Sequence, residues 1–230
     1  MKNWLVIFCL SLAASAMAAE TDAGLQPVAD PQPILADLQR KMASLDSVYF
    51  EFTQERQLQL FSEPLKSEGV MLIDRPGQIR WETTLPYQSI LLGNQKSVAQ
   101  FEKTDGEWKK LKIGFPQMLK RVMDQMTLMH QGKLDALTTD FTISVSTGSV
   151  AVVTMVPKDE TVRSMLASLE IKMQPDFSAS REVVMHEPGG DFTRIIFRRE
   201  KRNVKFPTGT FDQNKPLDVA AIKTAVGENP

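Results

Sequence analysis

"GVMLIDRPGQIRW", residues 69–81, holds two strand-like halves around a reversal. Val70, Leu72, Ile79 and Trp81 are residues that a protein buries, and Asp74-Arg75-Pro76-Gly77 lies between them. Asp, Pro and Gly serve a tight turn through local hydrogen bonding, a preset φ and freedom at positive φ. Arg75 serves none of these needs. The stretch predicts a β-hairpin carrying an arginine that the turn itself does not require.

The period of two extends outward from this hairpin. "SVYFEFTQERQ" (47–57) places Val48, Phe50 and Phe52 on one face and Tyr49, Glu51 and Thr53 on the other. "SEGVMLID", "GQIRWETT" and "YQSILLGN" follow, separated by Pro and Gly turns, and "SVAQFEKTDGEWKKLKI" folds back around Asp105-Gly106. Further strands are expected in "DFTISVS", "SVAVVTMV", "MLASLEIKM", "SREVVMHE" and "DFTRIIFRR", with Gly189-Gly190 turning between the last two. No βαβ spacing occurs, so the sheet should be antiparallel.

Two segments break the pattern. "PILADLQRKMASLDSV" (33–48) carries Ile34, Leu38, Met42 and Leu45 on one helical stripe, with Pro33 suited to the first turn. "FPQMLKRVMDQMTLMHQGKLDAL" (115–137) opens at Pro116 and repeats Leu119, Val122, Met123 and Met126 on one face. Its four methionines, Met118, Met123, Met126 and Met129, suit either a plain core-facing helix or a surface that repacks around variable apolar guests. The expected fold class is α+β: one domain over residues 34–219, with a strongly curved antiparallel sheet of about ten strands forming an incomplete, open β-barrel. The helices would form a lid over one face and leave an apolar cavity between the layers.

The ends read differently. Residues 1–18 have an early Lys2, an apolar run from Trp4 to about Leu12 and a small-residue close at Ala16-Met17-Ala18, the order of a secretory signal peptide. The run is shorter than the roughly 20 residues of a membrane span. Cys9, the only cysteine, lies inside it, so the exported chain should hold neither a disulfide nor a thiol site. Residues 19–33 read as a flexible leader and 220–230 as a short polar, flexible tail. The expected location is the periplasm.

Charge and motifs exclude several functions. The net charge is −1, which argues against a general nucleic-acid binder. The basic run "RREKRN" (198–203) reads as a solvated strand end. His130 and His186 are not spaced as a metal pair, and no G-x-S-x-G, P-loop or H-E-x-x-H occurs. Nothing asks for an enzyme or a cofactor.

The order of "FEFTQERQ", "SEGVMLIDRPGQIRWETTLPYQSIL", a Pro-headed apolar helix, "MVPKDE", "LEIKM" and "FTRIIFRREKRN…FPTGTFDQNKPLDV" resembles the periplasmic outer-membrane lipoprotein carriers, the LolA family. Phe52-Thr53-Gln54, the block from Arg75-Pro76 to Trp81, Pro86, and Phe211 followed by Pro216 carry the resemblance most specifically. It implies a monomeric carrier that holds acyl chains of lipoprotein, or of a related lipid-linked cargo, without a cofactor. Cargo would come from an inner-membrane ABC-type release complex and pass to a lipid-anchored outer-membrane receptor. The resemblance also implies that Arg75 hydrogen-bonds the lid helices in the closed, empty state. Candidate cavity and lid residues are Arg75, Phe50, Phe52, Ile73, Ile79, Trp81, Ile90, Leu119, Val122, Met123 and Met126, although strand register across the turn is not fixed by sequence. A lipid-sensing or regulatory module on the same fold is the alternative.

Overall fold

A computed structural model describes residues 24–114 and 116–228, leaving the side chains of Met118, Leu119, Arg121 and Val122 outside the described set. The signal-like residues 1–18, Cys9 included, lie outside the described residues. The strands are β1 (Gln26–Pro27), β2 (Ser47–Gln57), β3 (Leu65–Asp74), β4 (Gln78–Leu85), β5 (Ser89–Gly93), β6 (Val98–Thr104), β7 (Glu107–Leu111), β8 (Phe141–Thr147), β9 (Ala151–Pro157), β10 (Ser168–Met173), β11 (Ser180–His186) and β12 (Phe192–Arg202). The helices are α1 (Gln32–Ala43), α2 (Pro116–His130), α3 (Leu134–Leu137), α4 (Glu160–Arg163) and α5 (Val219–Ala225).

All twelve strands form one sheet in the order β1-β8-β9-β10-β11-β12-β2-β3-β4-β5-β6-β7. Every pairing is antiparallel, and the two ends of the order do not pair, so the sheet stays open. Twelve strands stand against about ten read from periodicity. β1 is a two-residue bridge to β8, too short for any alternation to announce. It ties down part of the leader expected to be flexible, with the Val28 N–H donating to the Val145 carbonyl as well.

Alternation sorts β2–β4 into two faces. Val48, Phe50, Phe52, Met71, Ile73 and Ile79 gather in one apolar cluster beneath the helices. Tyr49, Val70 and Leu72 gather on the opposite face against Ile222 and Val226. Gly69 is required on the helix side. A Cβ there would lie 1.9 Å from the Glu82 carbonyl oxygen and 2.8 Å from Phe52 Cζ. Its absence lets Phe52 lie beside Trp81, ring centroids 4.8 Å apart.

The helical segment expected over 115–137 is two helices. Gly132 takes φ +69, its N–H donates to the Met129 carbonyl, and the Lys133 N–H donates to Leu128. This paired pattern is a Schellman stop, which satisfies the last carbonyls of α2. Gly132 also approaches α1 closely, since a Cβ would lie 2.3 Å from the Gln39 carbonyl oxygen.

Residues 203–218 form a strap across the outer face, and the tail expected to be flexible, 220–230, begins instead within the helix α5. Asp218 caps α5 by accepting from the Ala220 N–H at 2.9 Å, and Ile222 is completely buried. Val219, Ile222 and Val226 repeat at helical spacing, and together they seal Tyr49, Val70 and Leu72. Under the strap lie Arg80 and Glu82, both essentially without solvent contact. Arg80 Nε and Nη2 donate to Glu82 Oε2 at 2.8 and 2.6 Å. Its remaining donors reach the Thr210 carbonyl at 2.8 Å and the Leu217 carbonyl at 2.5 Å. Burial pushes the Glu82 carboxyl up, and the Arg80 charge opposes that shift. All three guanidinium nitrogens thus donate to a partner, four hydrogen bonds in all, which makes the buried charge tolerable.

Glu82→Ala leaves the Arg80 charge buried without its counter-ion. The expected cost is about 3–5 kcal/mol in urea unfolding, with the strap cleaved early by protease. Unchanged unfolding would show that the strap is held by its apolar contacts alone.

Candidate lid and apolar face

The floor of the site is the helix-facing side of β2–β5 and β12. Phe50 packs on Phe197 at 4.8 Å between centroids, and Ile195, Met71, Ile73 and Ile79 complete the surface. A second apolar cluster lies under α1 and α3, where Leu35, Leu38, Leu134 and Leu137 meet Val145, Val153, Met155, Ile171 and Met173. The surface is almost wholly apolar because each contributing strand alternates with a solvent-facing or strap-facing set. On the outer side of β10, β11, β12, β2 and β3 that set is a charged ladder. Lys172 faces Glu182 at 3.4 Å, Arg194 bridges Glu182 and Glu55 at 2.7 and 4.0 Å, and Lys66 lies 3.6 Å from Glu55.

α2 lies on the floor through Met123, which is buried, and Met126, which is partly so. Gly93 admits it: a Cβ there would lie 3.2 Å from Met123 Cγ. An apolar space of about 30 Å³ remains between the helices and β8–β11, lined by Leu35, Leu38, Met129, Val153, Ile171 and Met173 among others. That is room for about one water and not for an acyl chain. The apolar cavity expected from the sequence is not seen at this place among the described residues.

The β3–β4 turn holds both helices at one end. Arg75 Nε donates to the Leu45 carbonyl at 2.8 Å and Nη2 to Ala43 at 2.7 Å, with Met42 more distant at 3.5 Å. These are carbonyls at and just beyond the C-terminus of α1, where helix geometry leaves acceptors unpaired and the dipole is negative. The next residue holds α2: the Pro76 carbonyl accepts from Gln131 Nε2 at 3.1 Å and from Gln95 Nε2 at 2.8 Å. Gly77, at φ +131, has no Cβ, and one would lie 2.8 Å from Thr127 Cγ2 of α2.

His130, the last residue of α2, is buried at this junction with Nε2 unpartnered. Burial lowers its pKa, a hydrogen bond to the Asp46 backbone opposes the shift, and the nearby Arg75 charge adds to it. Nothing in the sequence singled out His130 beyond its not being a metal ligand.

Among the expected site residues, Phe50, Phe52, Ile73, Ile79, Trp81, Met123 and Met126 come together in one cluster. Arg75 stands at its edge, on α1 rather than on the methionine-bearing α2. Ile90 does not belong to the cluster. It lies on the opposite face with Leu92, Ala99, Phe101 and Trp108, because its partner Glu82 faces the strap. Leu119 and Val122 fall within α2, and their side chains lie outside the described set. No group of three or more metal-ligating side chains occurs among the described residues. No described helix is long and apolar enough to cross a membrane.

Residues 43–214, most of the chain, match the family model described as outer membrane lipoprotein carrier protein LolA. The chain belongs to the LolA family. A comparison with curated proteins finds no match. Among solved structures, a LolA superfamily protein from Nitrosomonas europaea is 10% identical with TM-score 0.44, covering 81% of this chain and 99% of that one. LprF from Mycobacterium bovis is 13% identical with TM-score 0.42, covering 79% and 98%. The MucA/MucB complex of Pseudomonas aeruginosa includes a chain 13% identical with TM-score 0.36, covering 78% and 60%. At these values the likenesses carry no argument about function.

Arg75→Leu should free the C-terminus of α1. Loss of its charge-assisted hydrogen bonds costs about 1.5–3 kcal/mol of local closure, read as faster amide exchange at residues 43–46 with the sheet amides unchanged. Equal exchange in both proteins would refute the latch. A second expectation concerns pH. Because the folded pKa of His130 lies below its ordinary value of about 6.5, its contribution is full above that value and is lost as pH falls through the folded one. Melting temperature should therefore drop from pH 7 toward pH 5, and His130→Gln should flatten that part of the profile.

Proposed function

We propose that this protein is a soluble periplasmic carrier that shields the acyl chains of lipoprotein, or of a related lipid-linked cargo, between membranes. The observation that carries the proposal is the continuous apolar face of β2–β5 and β12, covered by a methionine-bearing helix that polar bonds hold at one end. Family membership supports the same reading. Acyl chains would take the place of α2 on the floor, meeting Phe50, Phe52, Ile79 and Trp81.

The exchange is physically balanced. Lifting α2 exposes Met123 and Met126 together with the floor, while an entering chain re-covers the floor with hydrocarbon. The hydrophobic term is proportional to the area removed from water and does not distinguish a methionine from a methylene run. The balance between closed and loaded states then rests on what the cargo does not replace. That is the polar contact of the β3–β4 turn with α1 and α2. On this reading, cargo would be received from an inner-membrane ABC-type release complex and delivered to a lipid-anchored outer-membrane receptor. Native mass spectrometry of protein from the periplasm, with an acylated probe in solution, tests the carrier reading. Complete absence of lipid together with failure to take up the probe would overturn it.

Trp81 gives a direct optical test, because it lies in the floor beside Phe52 while Trp108 packs on the other face. In a Trp108→Phe background, saturating acylated probe should shift Trp81 emission, and Phe52→Glu should weaken probe binding at least about tenfold. An invariant Trp81 signal during proven binding would move the cargo to another surface.

A further inference from the structure

The end of the sheet remote from the helix latch presents apolar side chains to water. Ser47 pairs with Asp74 and Asp74 with Gln78 at the latched end, whereas Arg56 pairs with Leu65 and Glu68 with Leu85 at the other. Of the seven large hydrophobic side chains most exposed among the described residues, five lie at this second end. They are Leu60 (86% exposed), Phe61 and Leu65 on the β2–β3 loop and its exit, and Leu85 and Tyr87 around the β4–β5 loop.

The β2–β3 loop exposes Leu60 and Phe61 while hydrogen bonds hold its backbone. Two glutamines brace it: Gln57 Nε2, at the end of β2, donates to the Leu58 and Phe61 carbonyls at 3.2 and 3.0 Å. Gln59 is bound twice to the β11–β12 turn, its N–H donating to Asp191 Oδ1 at 2.8 Å and its Nε2 to the Gly189 carbonyl. Gly190 makes that docking possible, since a Cβ there would overlap Gln59 Nε2. The loop is therefore braced, and what it holds outward is Leu60 and Phe61.

We infer that this end is a membrane-contact surface, on which Leu60 and Phe61 enter the headgroup boundary of a lipid bilayer with Leu65, Leu85 and Tyr87 beside them. The side chains stand exposed on two neighbouring loops and the strand ends that flank them, which suits a fluid surface that needs no matching shape. Residues 57–65 hold one charge, Glu63, and residues 85–88 hold none. This tip carries little charge, and that charge is acidic, which favours the apolar boundary of a zwitterionic bilayer over an acidic headgroup, and aromatic side chains such as Phe61 and Tyr87 suit that depth. The inference stands on these loops and does not depend on the carrier reading.

Flotation of the whole exported chain with vesicles of phosphatidylcholine and phosphatidylethanolamine tests it. The wild type should float with them weakly, to the same extent at low and high salt. Leu60→Asp with Phe61→Asp should lower partitioning at least about tenfold, while melting temperature and uptake of an acylated probe in solution stay as in the wild type. Phe61→Trp should be quenched by brominated lipid. Equal flotation of wild type and double variant, no flotation of the wild type, or dependence on anionic lipid would overturn the inference. So would a photo-crosslinker at position 60 that captures protein and never lipid. Failure of the wild type to take up the acylated probe would count against the carrier reading and leave this result as it stands.

Discussion

Strands β2, β3 and β4 are buried on both faces, and this constraint organises the molecule. The helix side takes Phe50, Met71 and Ile79, and the strap side takes Tyr49, Leu72 and the Arg80–Glu82 pair. A one-residue slip of β3 or β4 would exchange the two sets. It would drive a guanidinium and a carboxylate into the apolar floor and offer an isoleucine and a tryptophan to the Thr210 and Leu217 carbonyls. The register is thus defended twice, by apolar burial under the helices and by hydrogen-bond satisfaction under the strap.

The two coverings are attached in different ways. The strap is fixed through a fully buried, four-way hydrogen-bonded arginine and through α5, whose Ile222 is sealed among Tyr49, Val70 and Leu72. Among the described residues, α2 is fixed by apolar contact and, at its C-terminal end, by Gln131 on Pro76 and by His130 on the Asp46 backbone. Breaking the strap leaves buried polar groups unsatisfied, which water cannot repair without flooding the core. Lifting α2 leaves mainly apolar surface, which another apolar body can cover. One face is thereby suited to permanence and the other to exchange, and the difference lies in chemistry more than in area.

The alternating strands, the hairpin at Asp74–Gly77 and the α1 stripe were legible because each rests on local periodicity, and the order of motifs was enough to place the chain in its family. The face of Ile90 was not legible. Alternation within β5 separates Ile90 from Leu91 but says nothing about which looks inward; only pairing with Glu82 decides. The burial of Arg80 and Glu82 was not legible either, because the segment that covers them lies some 130 residues later. The tail was misread for a related reason. Val219, Ile222 and Val226 do repeat at helical spacing, but a seven-residue helix has no stability of its own and forms on the surface it covers. Arg75 shows the same limit in reverse. Its surplus to the turn was visible locally, whereas its carbonyl partners on α1 depend on how the helix meets the sheet.

The β3–β4 turn also explains why the two helices need not respond alike to a disturbance. Arg75 binds α1 with a charge directed at the negative end of a helix, an interaction strengthened where water is excluded. One residue later, Pro76 binds α2 through a neutral amide, and neutral hydrogen bonds are roughly half as strong as charge-assisted ones. Gly77 adds only van der Waals contact with Thr127. The same turn therefore holds α1 more firmly than α2. His130 sits at the junction, buried beside Arg75 and neutral near pH 7 because burial disfavours its cation. A proton there would add a like charge next to the stronger bond and an unsolvated one to the end of the weaker-held helix. Polar and electrostatic terms thus concentrate at one end of the lid. Among the described side chains, the rest of the contact of α2 with the floor is apolar, so on the carrier reading proposed above the β3–β4 turn would be the place where closure is decided.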